Sequence, residues 1–63
     1  MRLQEYLTHT ATSRADFAQQ IGVSVESVRR YLIGRIPEPP VMEKIIEATE
    51  GKVTANDFFG LAA

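Results

Sequence analysis

The sequence predicts an all-α domain of five short helices. Its 63 residues suffice for only one domain, which we take as residues 1–63. Apolar residues recur three and four positions apart, and no period-two alternation is long enough for a strand. Residues that typically begin or end helices (Ser, Thr, Pro and Gly) separate these segments.

The first two predicted helices occupy the N-terminal third of the chain. The first covers about residues 2–9 and ends near His9. Its apolar stripe consists of Leu3, Tyr6 and Leu7. The second follows the N-cap residue Ser13, with Asp16 in the capping-box position. Its apolar face consists of Phe17, Ala18 and Ile21. Gly22 then ends this helix, in a position that requires a left-handed backbone.

The third predicted helix begins after a very short turn. Ser24 is its N-cap and Gly34 ends it, so it covers about residues 24–33. Its apolar face consists of Val25, Val28 and Leu32, with Tyr31 beside them. Residues 34–39 are predicted as a loop, because Pro37 and Pro39 disfavour helix in the residue before each of them.

The last two predicted helices follow that loop. Pro40 suits the first turn of the fourth helix, and Gly51 ends it. The core face of this helix consists of Val41, Met42, Ile45 and Ile46. Thr54 caps the fifth helix, with Asp57 in the capping-box position. Three large apolar residues end the chain's last helix and either close the core or contact a partner chain: Phe58, Phe59 and Leu61.

Composition excludes several classes of site. The chain has no cysteine and one histidine, which excludes disulfides, thiolate metal sites and a cage of several histidines, so we expect no metal and no cofactor. No nucleophile–base pair or phosphate-binding loop is recognisable, so the sequence does not predict an enzyme. It has no signal peptide and no apolar run of membrane-spanning length, so we expect a soluble, cytoplasmic protein. A core this small favours self-association as additional support.

Charge is distributed unevenly. The net charge of −1 is unusual for a nucleic-acid-binding domain. Residues 13–35, however, carry four arginines and two carboxylates, a net +2, whereas residues 36–63 carry two lysines and five carboxylates, a net −3. A surface that faces phosphates on one side would produce this asymmetry.

Residues 14–33 form the unit on which the functional prediction depends. Ala18 is small enough to let two helices cross closely, Gly22 supplies a positive φ, and Ser24 binds free amides at the next helix start. This pattern resembles the helix-turn-helix family of phage repressors, Cro proteins and related bacterial regulators. The resemblance continues through the segment YLIGR, the proline-bearing loop and the tail GKVTANDFF. It implies a lambda-repressor-like DNA-binding domain with residues 24–33 as the recognition helix.

The resemblance also assigns roles to individual residues. It implies a phosphate contact for Arg14, and backbone contacts for Arg35 and Ser27. The groove-facing positions it implies are Ser24, Val25, Glu26, Arg29 and Arg30. Arginine can bond to guanine O6 and N7, glutamate can accept from cytosine N4, and valine can contact a thymine methyl group. The alternatives are a solvated Arg29–Arg30 pair, an ion pair of Glu26 with either arginine, and an ordinary loop charge at Arg35.

The predicted function is sequence-specific binding of double-stranded DNA by a Cro-like repressor, as a homodimer on a palindromic operator. The resemblance implies no small-molecule ligand and no membrane partner. One alternative is a helical protein-interaction module on the same scaffold, which the negative net charge favours. Another is an antitoxin, which would bind DNA and also a toxin.

Overall fold

The computed structural model describes residues 1–62, with side chains as far as residue 59. It contains five helices, which confirms the predicted all-α architecture of five short helices. In chain order they are α1 (Leu3–His9), α2 (Arg14–Ile21), α3 (Val25–Leu32), α4 (Pro39–Ala48) and α5 (Ala55–Ala62). No helix in this described part of the chain is both long and apolar enough to cross a membrane.

Side-chain hydrogen bonds mark the starts of α2, α3 and α5, but a hydroxyl caps an amide, as predicted, only at α2 and α3, because the Thr54 hydroxyl instead donates to Asp57. The hydroxyl of Ser13 accepts from the Asp16 amide at 3.0 Å, and the hydroxyl of Ser24 accepts from the Ser27 amide at 3.2 Å. At α5 the Asp57 carboxylate reaches back to the Thr54 amide at 2.8 Å. These bonds satisfy amides that have no partner inside their helices. The start of each of these helices is therefore fixed by a few neighbouring residues.

Four helices end in the same hydrogen-bond pattern. In each, an amide just beyond the helix donates to the carbonyl five residues earlier, and the residue before that amide has a positive φ. The positive-φ residues are Ala11 (53°), Gly22 (72°), Gly34 (116°) and Glu50 (54°). The glycine stops of α2 and α3 are thus confirmed. After α4, Glu50 takes the position expected for Gly51, which follows it, also at a positive φ of 79°.

The start of α4 differs by one residue from the prediction. The helix begins at Pro39, because Glu38 already has the extended backbone of an N-cap residue. Pro39 and Pro40 then occupy the first two helical positions, where a missing amide hydrogen costs nothing. Pro37 remains in the loop and is buried, which ties the segment between α3 and α4 to the core.

The core lies between α2, α3, α4 and the ends of the chain. Its most deeply buried apolar side chains, each at most 1% exposed, are Phe17, Ile21, Val28, Ile45, Val53 and Phe58. The predicted apolar face of α3 needs correction. Val25 is 45% exposed, whereas Tyr31 is 7% exposed, and Leu32 is partly buried and packs against the core as predicted. The turn before α3 brings Val23, instead of Val25, against the core.

A buried hydroxyl links α4 to the segment before α5. Thr49 is 1% exposed, and its hydroxyl donates to the Ile45 carbonyl at 2.8 Å and accepts from the Val53 amide at 3.2 Å. The Thr49 hydroxyl thereby supplies a hydrogen-bond acceptor to the buried Val53 amide, which lies between α4 and α5 and has no helical partner. Val53, buried beside it, was not among the core residues predicted from the sequence.

Candidate nucleic-acid interface

The turn between α2 and α3 spans only residues 22–24. Gly22 adopts φ 72° and ψ 32°, and the Val23 amide donates to the Ala18 carbonyl at 3.0 Å. Ala18 itself is 3% exposed, and α2 packs against both α3 and α4. The small side chain, the left-handed glycine and the cap of α3 thus occur together, which places α3 directly after a tight bend.

The helix α3 has one buried and one solvated face. Val28 and Tyr31 lie in the core, at 0% and 7% exposure. The exposed residues of α3 are Val25, Glu26, Arg29 and Arg30, with Ser24 at its start. At about 3.6 residues per turn, Glu26 and Arg30 lie nearly opposite Val28 and Arg29 lies to the side, whereas Val25, three residues before Val28, is exposed at the first position of the helix. The solvated face of α3 combines hydrogen-bond donors, acceptors and one apolar side chain.

An ion pair lies on this solvated face. Arg29 Nη1 donates to Glu26 Oε2 at 3.1 Å, and the two side chains are 59% and 56% exposed. Of the two alternatives left open for Glu26, the structure contains the ion pair. An exposed pair three residues apart on a helix stabilises the free protein by only about 0.2–0.5 kcal/mol. Its importance for stability is therefore small.

The serines at the start of α3 are already engaged within the chain. Ser24 Oγ accepts a hydrogen bond from the Ser27 amide and lies 3.1 Å from Ser27 Oγ. Ser27 is half-buried, whereas Ser24 is exposed. Each hydroxyl has one hydrogen and two lone pairs, so capping leaves some capacity for a further partner. Their first role is to hold the N-terminal turn of α3.

Three exposed arginines in residues 13–35 have no carboxylate partner among the described residues. Arg14 is the first residue of α2, directly after its cap, and Arg35 follows Gly34 at the end of α3. Arg30 lies on α3 itself, and all three are exposed. The ion pairs among the described residues join Met1 to Asp57 and Arg29 to Glu26. The excess positive charge therefore comes from Arg14, Arg30 and Arg35.

Asp57 is the one titratable group whose pKa is clearly shifted among the described residues. The pKa of this carboxyl lies below its ordinary value of 3.8, chiefly because it accepts a hydrogen bond from the Thr54 amide. The ammonium of Met1, 3.2 Å away, lowers the pKa further. Both contacts stabilise the start of α5, and neither involves the α3 face.

The predicted dimerisation residues separate into three cases. Phe58 is 1% exposed and fills the core, so it offers no surface to a partner. Phe59 is 55% exposed. The side chain of Leu61 lies outside the described residues. Phe59 borders an apolar groove of about 430 Å³, lined also by Ile36, Pro37, Pro39, Met42, Glu43 and Ala55.

Two features at the ends of α3 were not predicted. Ile33, directly after α3, is 85% exposed. Its position five residues after the buried Val28 places it on the opposite side of a helical wheel, so the spacing contained that signal. Lys44 of α4 lies beside the turn, since its Nζ is 3.7 Å from where a Cβ on Gly22 would be. That proximity depends on how α4 packs against α2, and no local pattern indicates it.

Among the side chains the structure describes, no three metal-binding residues come together. A family model described as helix-turn-helix matches residues 3–54, which includes α1 to α4 and the cap of α5. No curated protein and no solved structure matches the chain.

Proposed function

The chain belongs to the helix-turn-helix family of Cro and repressor type, and we propose that within this DNA-binding regulatory family it acts as a sequence-specific repressor. Its α3 helix would enter the major groove with the solvated face toward the base pairs. One observation carries this proposal. While Val28 is fully buried, α3 exposes two arginines, a glutamate and a valine to solvent.

We assign the contacts by chemistry. Arg29 and Arg30 are the groups that can bond bidentately to guanine, and Val25 suits a thymine methyl group. Arg14, at the start of α2, and Arg35, after α3, would contact phosphates on either side of the groove. Ser24 would add a single hydrogen bond in the groove. Ser27 would add a single hydrogen bond to the DNA backbone. These assignments separate residues that read bases from residues that fix the register.

We propose that the active unit is a homodimer bound to a palindromic operator. We also propose that the protein is located in the cytoplasm. Two recognition helices would then lie about 34 Å apart, one turn of the duplex. Phe59 and the groove beside it are the apolar surface that such a dimer would cover, since α5 exposes the ring at 55%. Phe58 would contribute indirectly, because it anchors α5 in the core.

Selection of bound duplexes from a random pool tests the proposal. We expect a palindrome, and a log affinity that falls with log salt at a slope of about −4 if two chains each neutralise two phosphates through Arg14 and Arg35. Arg30→Ala should then cost about 1–3 kcal/mol of binding free energy. Lys52→Ala is the matched control, because it removes an exposed cation outside this surface and should leave base preference unchanged.

A protein-interaction module is the second candidate, and the exposed Phe59 beside an apolar groove favours it. It predicts no binding to any duplex at low salt. It also predicts that a polar substitution at Phe59 abolishes partner binding, while Arg30→Ala has no effect. Enrichment of no duplex over the starting pool, with a folded protein, would therefore decide for this candidate and against the repressor.

A further inference from the structure

We propose that Glu26 is a specificity-determining residue, which positions Arg29 for one base pair and weakens binding to every other sequence. This inference rests on the proposed function and concerns the same face of α3. Its basis is the contact of Arg29 Nη1 with Glu26 Oε2 at 3.1 Å. No ion pair holds Arg30, the other arginine of that face, to a described residue.

The ion pair leaves Arg29 able to bind a base. A guanidinium has five N–H donors, and the contact with one carboxylate oxygen uses one of them. The donors on Nε and Nη2 stay free, and together they form an edge that matches O6 and N7 of guanine. Glu26 therefore restricts the orientation of the side chain without occupying the edge that would read the base. Such preorganisation reduces the entropy lost on binding.

Position along the helix supports this arrangement. Glu26 lies in the first turn of α3, and although Arg29 lies in the last turn, its contact with Glu26 holds the guanidinium toward the first turn. The N-terminal part of a recognition helix lies closest to the base edges. The positive end of the helix dipole favours an ionised carboxylate in that first turn. The Glu26 carboxylate would therefore stand among phosphates when α3 enters the groove.

A carboxylate at that place penalises non-specific binding. Phosphates repel it, and the arginine beside it contributes less attraction to the DNA backbone because its charge is already balanced. On the correct sequence, Arg29 gains bonds to guanine and still neutralises Glu26. On another sequence Arg29 still pairs with Glu26 but gains no bonds to a base, so nothing offsets the cost of bringing the carboxylate close to phosphates. Discrimination of this kind adds a repulsive element to an attractive one.

The test compares Glu26→Gln, Arg29→Ala and the double variant, with Glu5→Gln as a control that removes an exposed carboxylate from α1. Affinity is measured for the selected duplex and for a random duplex over a range of salt. Base preference is measured at each position by selection. Thermal unfolding of each variant verifies that it is folded.

Glu26→Gln should bind random duplex more tightly, with a salt slope steeper by about 0.9 per chain, because one more charge becomes available to phosphates. The ratio of specific to random affinity should fall about tenfold, comparable to the loss of one bidentate contact. Glu26→Gln and Arg29→Ala should relax the same base pair. In the double variant, Glu26→Gln should relax base preference no further. Glu5→Gln should change neither the ratio nor the preference.

Two results would overturn the inference while the proposed function stands. An unchanged affinity ratio in Glu26→Gln would mean that the ion pair is only a local helix contact. Relaxation of a different base pair, persisting in the absence of Arg29, would mean that Glu26 reads a base by itself. If the unsubstituted chain enriches no duplex, the proposed function fails first and the inference fails with it.

Discussion

Exchange of glycine and alanine at two helix ends should change stability in opposite directions. Gly22 and Ala11 occupy the same position of the same hydrogen-bond pattern, with φ of 72° and 53°. L-residues other than glycine adopt this region at a cost of about 1–2 kcal/mol, because Cβ approaches the next carbonyl oxygen. We therefore expect Gly22→Ala to destabilise the protein and Ala11→Gly to stabilise it.

The structure isolates the backbone contribution to this effect. A Cβ on Gly22 would meet nothing closer than Lys44 Nζ at 3.7 Å, an ordinary contact with the flexible end of a side chain. No steric clash adds to the strain, so the cost of Gly22→Ala should stay near 1–2 kcal/mol. Ala11→Gly should recover about 1 kcal/mol, reduced by the greater entropy of glycine in the unfolded chain.

The assay is thermal unfolding of both single variants and of the double variant. For a domain of this size, 1 kcal/mol corresponds to a change in Tm of about 4–8 °C. The double variant should return close to the original Tm. A Gly22→Ala variant as stable as the unsubstituted protein, or an Ala11→Gly variant that is less stable, would refute the assignment of strain to these two positions.

Three further changes test other parts of the structure. Thr49→Val leaves the buried Val53 amide without its partner and should cost about 1–3 kcal/mol in urea unfolding, whereas Thr49→Ser, which keeps the hydroxyl, should cost less. The pKa of Asp57 is lowered in the folded state, so its contribution to stability is present above the ordinary pKa of 3.8 and is lost as pH falls through the lowered value. Asp57→Asn should make the free energy of unfolding depend less on pH in that window. An unchanged pH profile of stability would contradict the assignment. Ser24→Ala removes the cap of α3 and should lower the stability by about 0.5–2 kcal/mol in thermal unfolding. A variant as stable as the unsubstituted protein would contradict this prediction.

Local chemistry explains which parts of the fold were predictable. Ser13, Ser24 and Gly22 act on amides and carbonyls within a few residues of themselves, so their effect can be read from spacing alone. The boundary of α4 was misplaced by one residue because Pro39 and Pro40 both suit the first turn of a helix. The choice between them depends on the backbone of the preceding residue.

Features that depend on contacts between distant segments were not predictable. Thr49 appears polar in the sequence, yet it is buried because α4 ends against the segment before α5. Val25 and Tyr31 lie three residues on either side of Val28, so spacing alone places both beside the core, and only the packing of α3 decides that Tyr31 is buried and Val25 exposed. The Glu26 ion pair was one of two outcomes that the spacing permits, since a glutamate three residues before an arginine can face either its neighbour or the solvent.

The net charge of −1 does not decide against DNA binding, because a duplex responds to the charge of the surface that approaches it. At physiological salt the screening length is about 8 Å. The smallest dimension of the molecule is 20 Å, so charges on one side contribute little to the potential on the opposite side. The ion pair balances Glu26 on the α3 face, while the Arg30 guanidinium is exposed there without a described carboxylate partner. With Arg14 and Arg35, Arg30 therefore keeps the proposed surface positive although the whole chain carries a net negative charge.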